Sequence, residues 1–337
     1  MSANVLSVTE LRKAFGPRVI LDGVTFGLDS GDTIGLIGDN GAGKSTFLKI
    51  IAGLEPADGG VVAQRNDVTL ALLDQVPTLD PEKTIRQILE EPFGPAIAAV
   101  AKYEALATAM DPEAERWLAE VERLDGWDWM HRLERVASQC NVGELDVPAG
   151  QLSGGQQKRV ALARLILLEP DIILFDEPTN HLDATTVEWL EQWIAKTSAA
   201  CMVVTHDRYF LENVVTKMAE IRDGQLKVYE GSYSDYLLAR AEEEAQADRV
   251  GHRRLQMLKS ELDWARRSPK ARTTKSKSRL QRVDALQDDV TSGQQLKAAR
   301  GGASFEMGEG RRLGKTILEF VNVTKGFDGP PLIEDFS

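Results

Sequence analysis

Residues 33–54 read TIGLIGDNGAGKSTFLKIIAGL, a short apolar run that enters a glycine-rich bend and leaves it as an amphipathic helix. Within it, Gly38-Asp39-Asn40-Gly41-Ala42-Gly43-Lys44-Ser45 fits G-x-x-x-x-G-K-[ST] with a strand before and a helix after, the context the motif requires. The glycines allow the backbone to curl with its N–H groups turned inward, and the following helix start adds its positive end. A joining turn alone does not ask for Lys-Ser at these positions. Gly38, Asn40, Gly41, Ala42, Gly43, Lys44, Ser45 and Thr46 are therefore expected to cradle a nucleotide's phosphates, with Lys44 as a point charge and Ser45 holding Mg²⁺.

The bulk properties fit a folded chain. Its 337 residues suffice for about two domains, and 42% hydrophobic content can fill a core. Two cysteines, Cys140 and Cys201, stand at no metal-ligand or redox spacing, which favours buried thiols in a reducing, cytoplasmic setting over a disulfide framework. The start, MSANVLSVTE, has no basic-then-apolar leader pattern, and the most apolar runs, 165–168 and 172–175, are split by Glu169-Pro170-Asp171. No membrane association is expected. A net charge of −12 would also argue against nucleic acid, but the charge is segregated. Between Arg249 and Arg282 the basic residues face only Glu261 and Asp263.

Further along, Ile172-Ile173-Leu174-Phe175-Asp176-Glu177 reads as a buried strand ending in two carboxylates, suited to a Mg²⁺-binding Asp followed by a water-activating Glu. Such carboxylates also serve as plain helix-entry charges. Leu152-Ser153-Gly154-Gly155-Gln156 precedes the helical stretch QQKRVALARLILL and offers a second positive helix end, or an ordinary N-cap. The order of phosphate loop, Gln75, LSGGQ, Asp176-Glu177 and Val203-Val204-Thr205-His206-Asp207 resembles the ATP-binding cassette superfamily over residues 4 to 230.

That resemblance implies an α/β fold of the P-loop NTPase cassette type, a mixed sheet core with an antiparallel β-subdomain and an α-helical subdomain. It implies ATP and Mg²⁺ as ligands and ATP hydrolysis as the activity. Phe15 would stack on adenine. Gln75 would touch the metal and the attacking water, Asp176 would share the metal with Ser45, Glu177 would act as base, and His206 would sit near the γ-phosphate. Read singly, Phe15, Gln75 and His206 fit core, surface and turn roles equally well. Cassettes of this kind work in pairs, so Ser153, Gly154, Gly155 and Gln156 would complete a partner's nucleotide site, with Asp183 along the shared seam.

The last twenty residues, LEFVNVTKGFDGPPLIEDFS, align without a gap on residues 6–25 at an offset of 312, Lys325 on Lys13 and Phe327 on Phe15. This predicts a first cassette at 4–235 with its helical subdomain at about 78–165, a charged helical-hairpin linker at 236–300, and the truncated start of a second cassette at 313–337. Trp117, Trp127 and Trp129 in the helical subdomain are expected to pack in its core. Two cassettes without a membrane segment, and the wording Glu177-Pro178-Thr179-Asn180-His181-Leu182-Asp183, resemble the ABC-F family.

Two leucine-valine series, Leu255, Leu258, Leu262 and Leu280, Val283, Leu286, Val290, predict a long helical hairpin after the cassette. Its bend carries Arg266, Arg267, Lys270, Arg272, Lys275, Lys277 and Arg279 around Pro269. Such charge suits the phosphates of folded RNA, and equally describes a solvated linker helix. The family resemblance implies contact with tRNA and ribosomal RNA, and hence a ribosome-associated translation factor. Two other readings stay open: a DNA-binding ABC-F ATPase acting on branched DNA, and the ATPase subunit of a membrane transporter. The partner cassette would be the second one in the chain or a second copy.

Overall fold

The computed structural model describes residues 3–247, 323–325 and 333–336. The chain divides into two units, Met1–Leu262 and Asp263–Ser337. The first unit begins with two long antiparallel strands, β1 (Asn4–Phe15) and β2 (Arg18–Asp29). A two-residue loop joins them, with Gly16 at φ 58° in the position where hairpin twist favours a residue of positive φ. Later in the chain, β4 (Gly59–Gln64) pairs with β1 on its other side, giving a three-stranded antiparallel sheet ordered β2-β1-β4.

The second sheet starts with β3 (Thr33–Gly38), which runs into helix α1 (Lys44–Ile51). It adds β5 (Leu70–Leu73), β6 (Ile172–Asp176), β7 (Ala200–Val204), β8 (Lys217–Arg222) and β9 (Gln225–Glu230) in the order β5-β6-β7-β3-β8-β9. All neighbours are parallel except β8 and β9. Every residue of β6 and of β7 is buried, as strands covered on both faces require, and this explains their unbroken apolar runs. Phe47 of α1 meets Phe26 of β2 edge-on, with ring centroids 6.0 Å apart, so the helix plugs the space between the two sheets. An aromatic pair of this geometry adds about 0.5–1.5 kcal/mol beyond its area burial.

Helices α2 (Ile85–Glu90), α3 (Gly94–Thr108), α4 (Ala114–Arg123) and α5 (Trp129–Gln139) form the inserted segment, followed by α6 (Gly154–Leu168). Glu169 ends α6 in the left-handed region at φ 48°, and Asp171 then starts the turn into β6. The tryptophans of the insert do not all pack as expected. Trp129 is half-buried against Phe93, whereas Trp127 is 53% exposed, with its ring T-shaped to that of Tyr103. It lies in a turn just before α5.

Two helices, α7 (Ala184–Ile194) and α8 (Arg208–Val214), start from aspartate caps, Asp183 and Asp207. The last described element of the unit is α9 (Tyr233–Ala247), which begins before the expected 235/236 boundary. Tyr233, Tyr236 and Leu237 are buried, and the Arg240 guanidinium donates to both carboxylate oxygens of Glu220 on β8 at 2.7 and 2.6 Å.

In the second unit the described residues form a hairpin, β10 (Val323–Lys325) with β11 (Ile333–Phe336). Its pairs are Val323 with Phe336 and Lys325 with Ile333, and the register shifts between them. The corresponding pairs 312 positions earlier are Leu11 with Val24 and Lys13 with Leu21, also separated by register shifts. The sequence echo is thus matched in strand pairing.

Candidate functional site

The glycines of the phosphate loop are there for space as well as for φ. A Cβ on Gly43 (φ 102°) would lie 2.2 Å from Ile20 Cγ2, and one on Gly38 (φ 154°) 2.4 Å from the Ile221 carbonyl oxygen. Gly43 is also the N-cap of α1, and it offers no side-chain acceptor to the first amides of the helix. These amides and the positive helix end together make a site for an anion. The Lys44 ammonium folds back on the loop, donating to the Gly38 carbonyl at 2.8 Å and the Asp39 carbonyl at 3.1 Å. Burial holds its pKa below the ordinary lysine value, against the pull of Glu177, Asp39 and Asp176. A lysine in this state gains from an added negative charge.

The acidic edge of the site is set by strand register. Leu73 pairs with Phe175, so Gln75 just past the end of β5, and Asp176 and Glu177 at the end of β6, arrive side by side. Asp171 fixes that register at the strand starts, accepting from the Thr69 amide at 2.8 Å and its hydroxyl at 2.9 Å. Asp176 is 2% exposed, and burial raises its pKa, with a hydrogen bond from Ser45 opposing. Glu177 adopts φ 53°, rare for a residue with a side chain, and its amide donates to the Val204 carbonyl at 2.7 Å. Such conformations cost of order 1–3 kcal/mol and cluster at functional sites. The Glu177 carboxylate lies 3.5 Å from His206 Nε2 and accepts from the His206 amide at 3.4 Å.

These parts enclose a cavity of about 440 Å³, within the usual range for small-molecule sites. Phe15, Asn40, Gly41, Gly43, Lys44, Ser45, Thr46, Gln75, Asp176, Glu177 and His206 line it, so most of the residues proposed from sequence converge. Gly38 and Ala42 belong to the loop without lining the cavity. Ile20, Val204, Arg18 and Asn180 line it and were not read from sequence. Arg18, at the end of the β1–β2 turn, donates to the Gly41 carbonyl at 2.9 Å. Its signal was its place two residues beyond the glycine of a hairpin that also carries Phe15, but the hairpin's approach to the phosphate loop is a tertiary fact. Phe15 itself is 51% exposed, and the Lys13 ammonium sits 5.1 Å from its ring centroid.

The signature residues lie apart from this lining. Ser153 caps α6, with its hydroxyl accepting from the Gln156 amide and its own amide donating to the Gln156 side chain, a closed capping box with Gly154 and Gly155 in the first turn. Asp183 caps α7, accepting from the Thr186 amide and hydroxyl at 3.0 Å each. Arg266, Arg267, Lys270, Arg272, Lys275, Lys277 and Arg279, and the hairpin expected to carry them, fall outside the described residues.

The donor set also bears on Mg²⁺. Among the described residues no group of three or more His, Cys, Asp or Glu could hold a metal ion. Mg²⁺ in phosphate-transfer sites uses one or two carboxylates together with waters and substrate phosphates. A buried Asp176 bonded to the Ser45 hydroxyl at the mouth of an anion cradle fits that arrangement, with the metal arriving alongside the phosphates.

Two family models described as ABC transporter match the chain, over residues 21–180 and 219–299. The energy-dependent translational throttle protein EttA of Mycobacterium tuberculosis (strain ATCC 25618 / H37Rv) is 38% identical over 345 residues, covering 100% of this chain and 61% of that protein. EttA of Escherichia coli (strain K12) is 36% identical over 348 residues, covering 100% and 62%. The uncharacterized ABC transporter ATP-binding protein YfmR of Bacillus subtilis (strain 168) is 37% identical over 343 residues, covering 99% and 54%. The chain therefore spans about six-tenths of the length of these curated relatives. A solved structure titled as the ATP-binding subunit of an ABC transporter superposes with a TM-score of 0.55 at 24% identity, covering 70% of this chain and 92% of that one, which is a likeness of fold. No helix among the described residues is long and apolar enough to cross a membrane.

Proposed function

The chain belongs to the ABC-F family of ATP-binding cassette proteins, and from that premise we propose that it binds ATP with Mg²⁺, hydrolyses the ATP, and serves a ribosome-associated step of translation in the cytoplasm. The observation that carries the chemistry is the meeting of Lys44, Ser45, Gln75, Asp176, Glu177 and His206 in one cavity. Bound Mg²⁺ and ATP would supply a γ-phosphoryl group whose charge is partly neutralised. Phosphoryl transfer to water then needs alignment and electrostatic stabilisation more than covalent help.

The residues divide that work. The exposed ring of Phe15 receives the base, and the open amides at the start of α1 receive the phosphates. Lys44 exchanges its two loop carbonyls for phosphate oxygens, a charge-assisted contact stronger than the ones it leaves. Ser45 and Asp176 would hold the metal, and Gln75 would contact the metal and the attacking water. Glu177 would take the proton of the attacking water on its carboxylate, and His206, 3.5 Å away, would orient that carboxylate beside the γ-phosphate. The capped signature at Ser153 to Gln156, which does not line the cavity, is the part a partner cassette would use, with Asp183 beside it. That partner is a second cassette or a second copy.

The ribosomal part of the reading draws on the translational throttle named among the relatives and on the basic segment around Pro269, whose charge suits tRNA or ribosomal RNA. Replacement of Glu177 by Gln is expected to keep ATP binding while turnover falls about 100-fold or more. Near-normal hydrolysis would remove Glu177 from the role of base. With ATP, the same variant is expected to co-sediment with ribosomes, and substitution of Arg266, Arg267, Lys270 and Arg272 is expected to weaken that association. Sedimentation indifferent to those four residues would refute the RNA contact.

A further inference from the structure

Lys158 is the sixth residue of the signature LSGGQQK counted from Ser153, and in sequence it reads as one more solvated charge on α6. It is 2% exposed, among the most deeply buried large side chains of the described residues. Its ammonium donates to three main-chain carbonyls on two other segments: Asp74 at 2.6 Å, Gln75 at 3.3 Å and Asp176 at 3.0 Å. A lysine has three N–H donors and no acceptor, so this set uses its full capacity. Lysine is almost never fully buried unless paired. The two segments it joins, the loop after β5 and the end of β6, carry the side chains expected at the metal and the attacking water, and neither lies on the helix that supplies the lysine.

A simpler device would serve if the only need were to fill that space. A methionine packs as well and avoids the cost of taking an ammonium out of water. What the ammonium adds is direction, because three carbonyls converging on one point fix the peptide planes of Asp74, Gln75 and Asp176 relative to each other. Lys49 of α1 makes a related contact from the other side, pairing with the Asp74 carboxylate at 3.0 Å.

We propose that Lys158 is a positioning residue for the cassette's reaction: it sets Gln75 and Asp176 for Mg²⁺ and water, and ties that setting to the start of the helix that carries the signature. The inference rests on the reading of the cavity as an ATP–Mg²⁺ site. Residues that orient metal ligands typically change metal affinity or activity by about 10- to 100-fold when replaced, while leaving contacts that do not involve the metal in place. A merely structural lysine would lower stability and all ligand contacts together.

The test uses the whole protein and its Lys158→Met and Lys158→Arg variants. Binding of a fluorescent ATP analogue in EDTA, its binding as Mg²⁺ is titrated in, and steady-state hydrolysis are measured for each. In Lys158→Met the affinity in EDTA is expected to stay within about twofold of wild type, while kcat falls and the half-saturating Mg²⁺ rises, each by about tenfold or more. Lys158→Arg, which restores the charge and several donors, is expected to recover part of both losses. If the Met variant does not fold, Lys158→Gln carries the same test with the same expected split. A folded neutral variant with wild-type kcat and Mg²⁺ dependence overturns the proposal, as does an equal loss of binding with and without Mg²⁺. Wild-type protein that takes up no nucleotide instead overturns the ATP-site reading on which the proposal rests.

Discussion

The starts of α1 and α6 have the same electrostatic character and opposite fates. Both follow glycine-bearing motifs, and both present the positive end of a helix dipole. At α6, Ser153 and Gln156 satisfy two of the free amides reciprocally, so that end is partly met within its own chain. At α1 the N-cap is Gly43, which has no side chain to give, and the neighbouring Lys44 is occupied with loop carbonyls. One end is built to wait for an anion, and the other can stand without one. The difference teaches that an LSGGQ phrase and a phosphate loop, both read as anion sites, can differ in how much of the work the protein does for itself.

The largest expected effect falls on the open end. Replacing Lys44 by Ala should weaken ATP binding by about 3 kcal/mol, roughly 100-fold in Kd, as measured by calorimetry with Mg²⁺. A loss below about threefold would place the two helix starts on an equal footing and break the comparison. Next comes the loop's shape. Gly43→Ala puts a Cβ at φ 102° and 2.2 Å from Ile20 Cγ2, so thermal or denaturant unfolding should show about 2 kcal/mol of lost stability. An unchanged midpoint would mean the loop yields easily and that the glycine is not needed for space. The smallest effect belongs to the closed end: Ser153→Ala should cost about 1 kcal/mol of stability through the lost cap, with no change in ATP affinity at the Lys44 cavity. A fall in that affinity would bring the signature into its own cassette's site, contrary to its absence from the cavity's lining.

How much of this could be read beforehand depends on whether a feature is local. The strand, loop and helix around Gly43, the buried run ending at Asp176, and the cap at Ser153 are each specified by residues within a few positions of one another, and the sequence pattern expresses them directly. Convergence of Gln75 on Asp176 follows from parallel pairing of β5 with β6, which the motif order implied only through family resemblance. Lys158 escaped because its burial is decided by carbonyls 84, 83 and 18 residues away. Arg18 escaped for the same reason, since a turn arginine comes to line the Lys44 cavity only when its hairpin folds over the loop. Trp127 erred in the other direction: a large aromatic suggests core, but a turn between helices left half of it in solvent. The pairing of β10 with β11 was legible through repetition alone.

The attachment of α9 has a mechanical consequence. Tyr236 against Tyr229 of β9 and the Arg240–Glu220 contact on β8 seat its first turns on the edge of the sheet, where β8 is hydrogen-bonded to β3 just ahead of the phosphate loop. A helix of 15 residues is about 22 Å long at 1.5 Å per residue. Held to the sheet as far as Glu243, which pairs with Lys227 and Tyr229, it would move with the sheet as a lever: a tilt by about 10° would swing its far end by roughly 4 Å over that length. Motion small beside the phosphate loop would thereby arrive at Ala247 amplified.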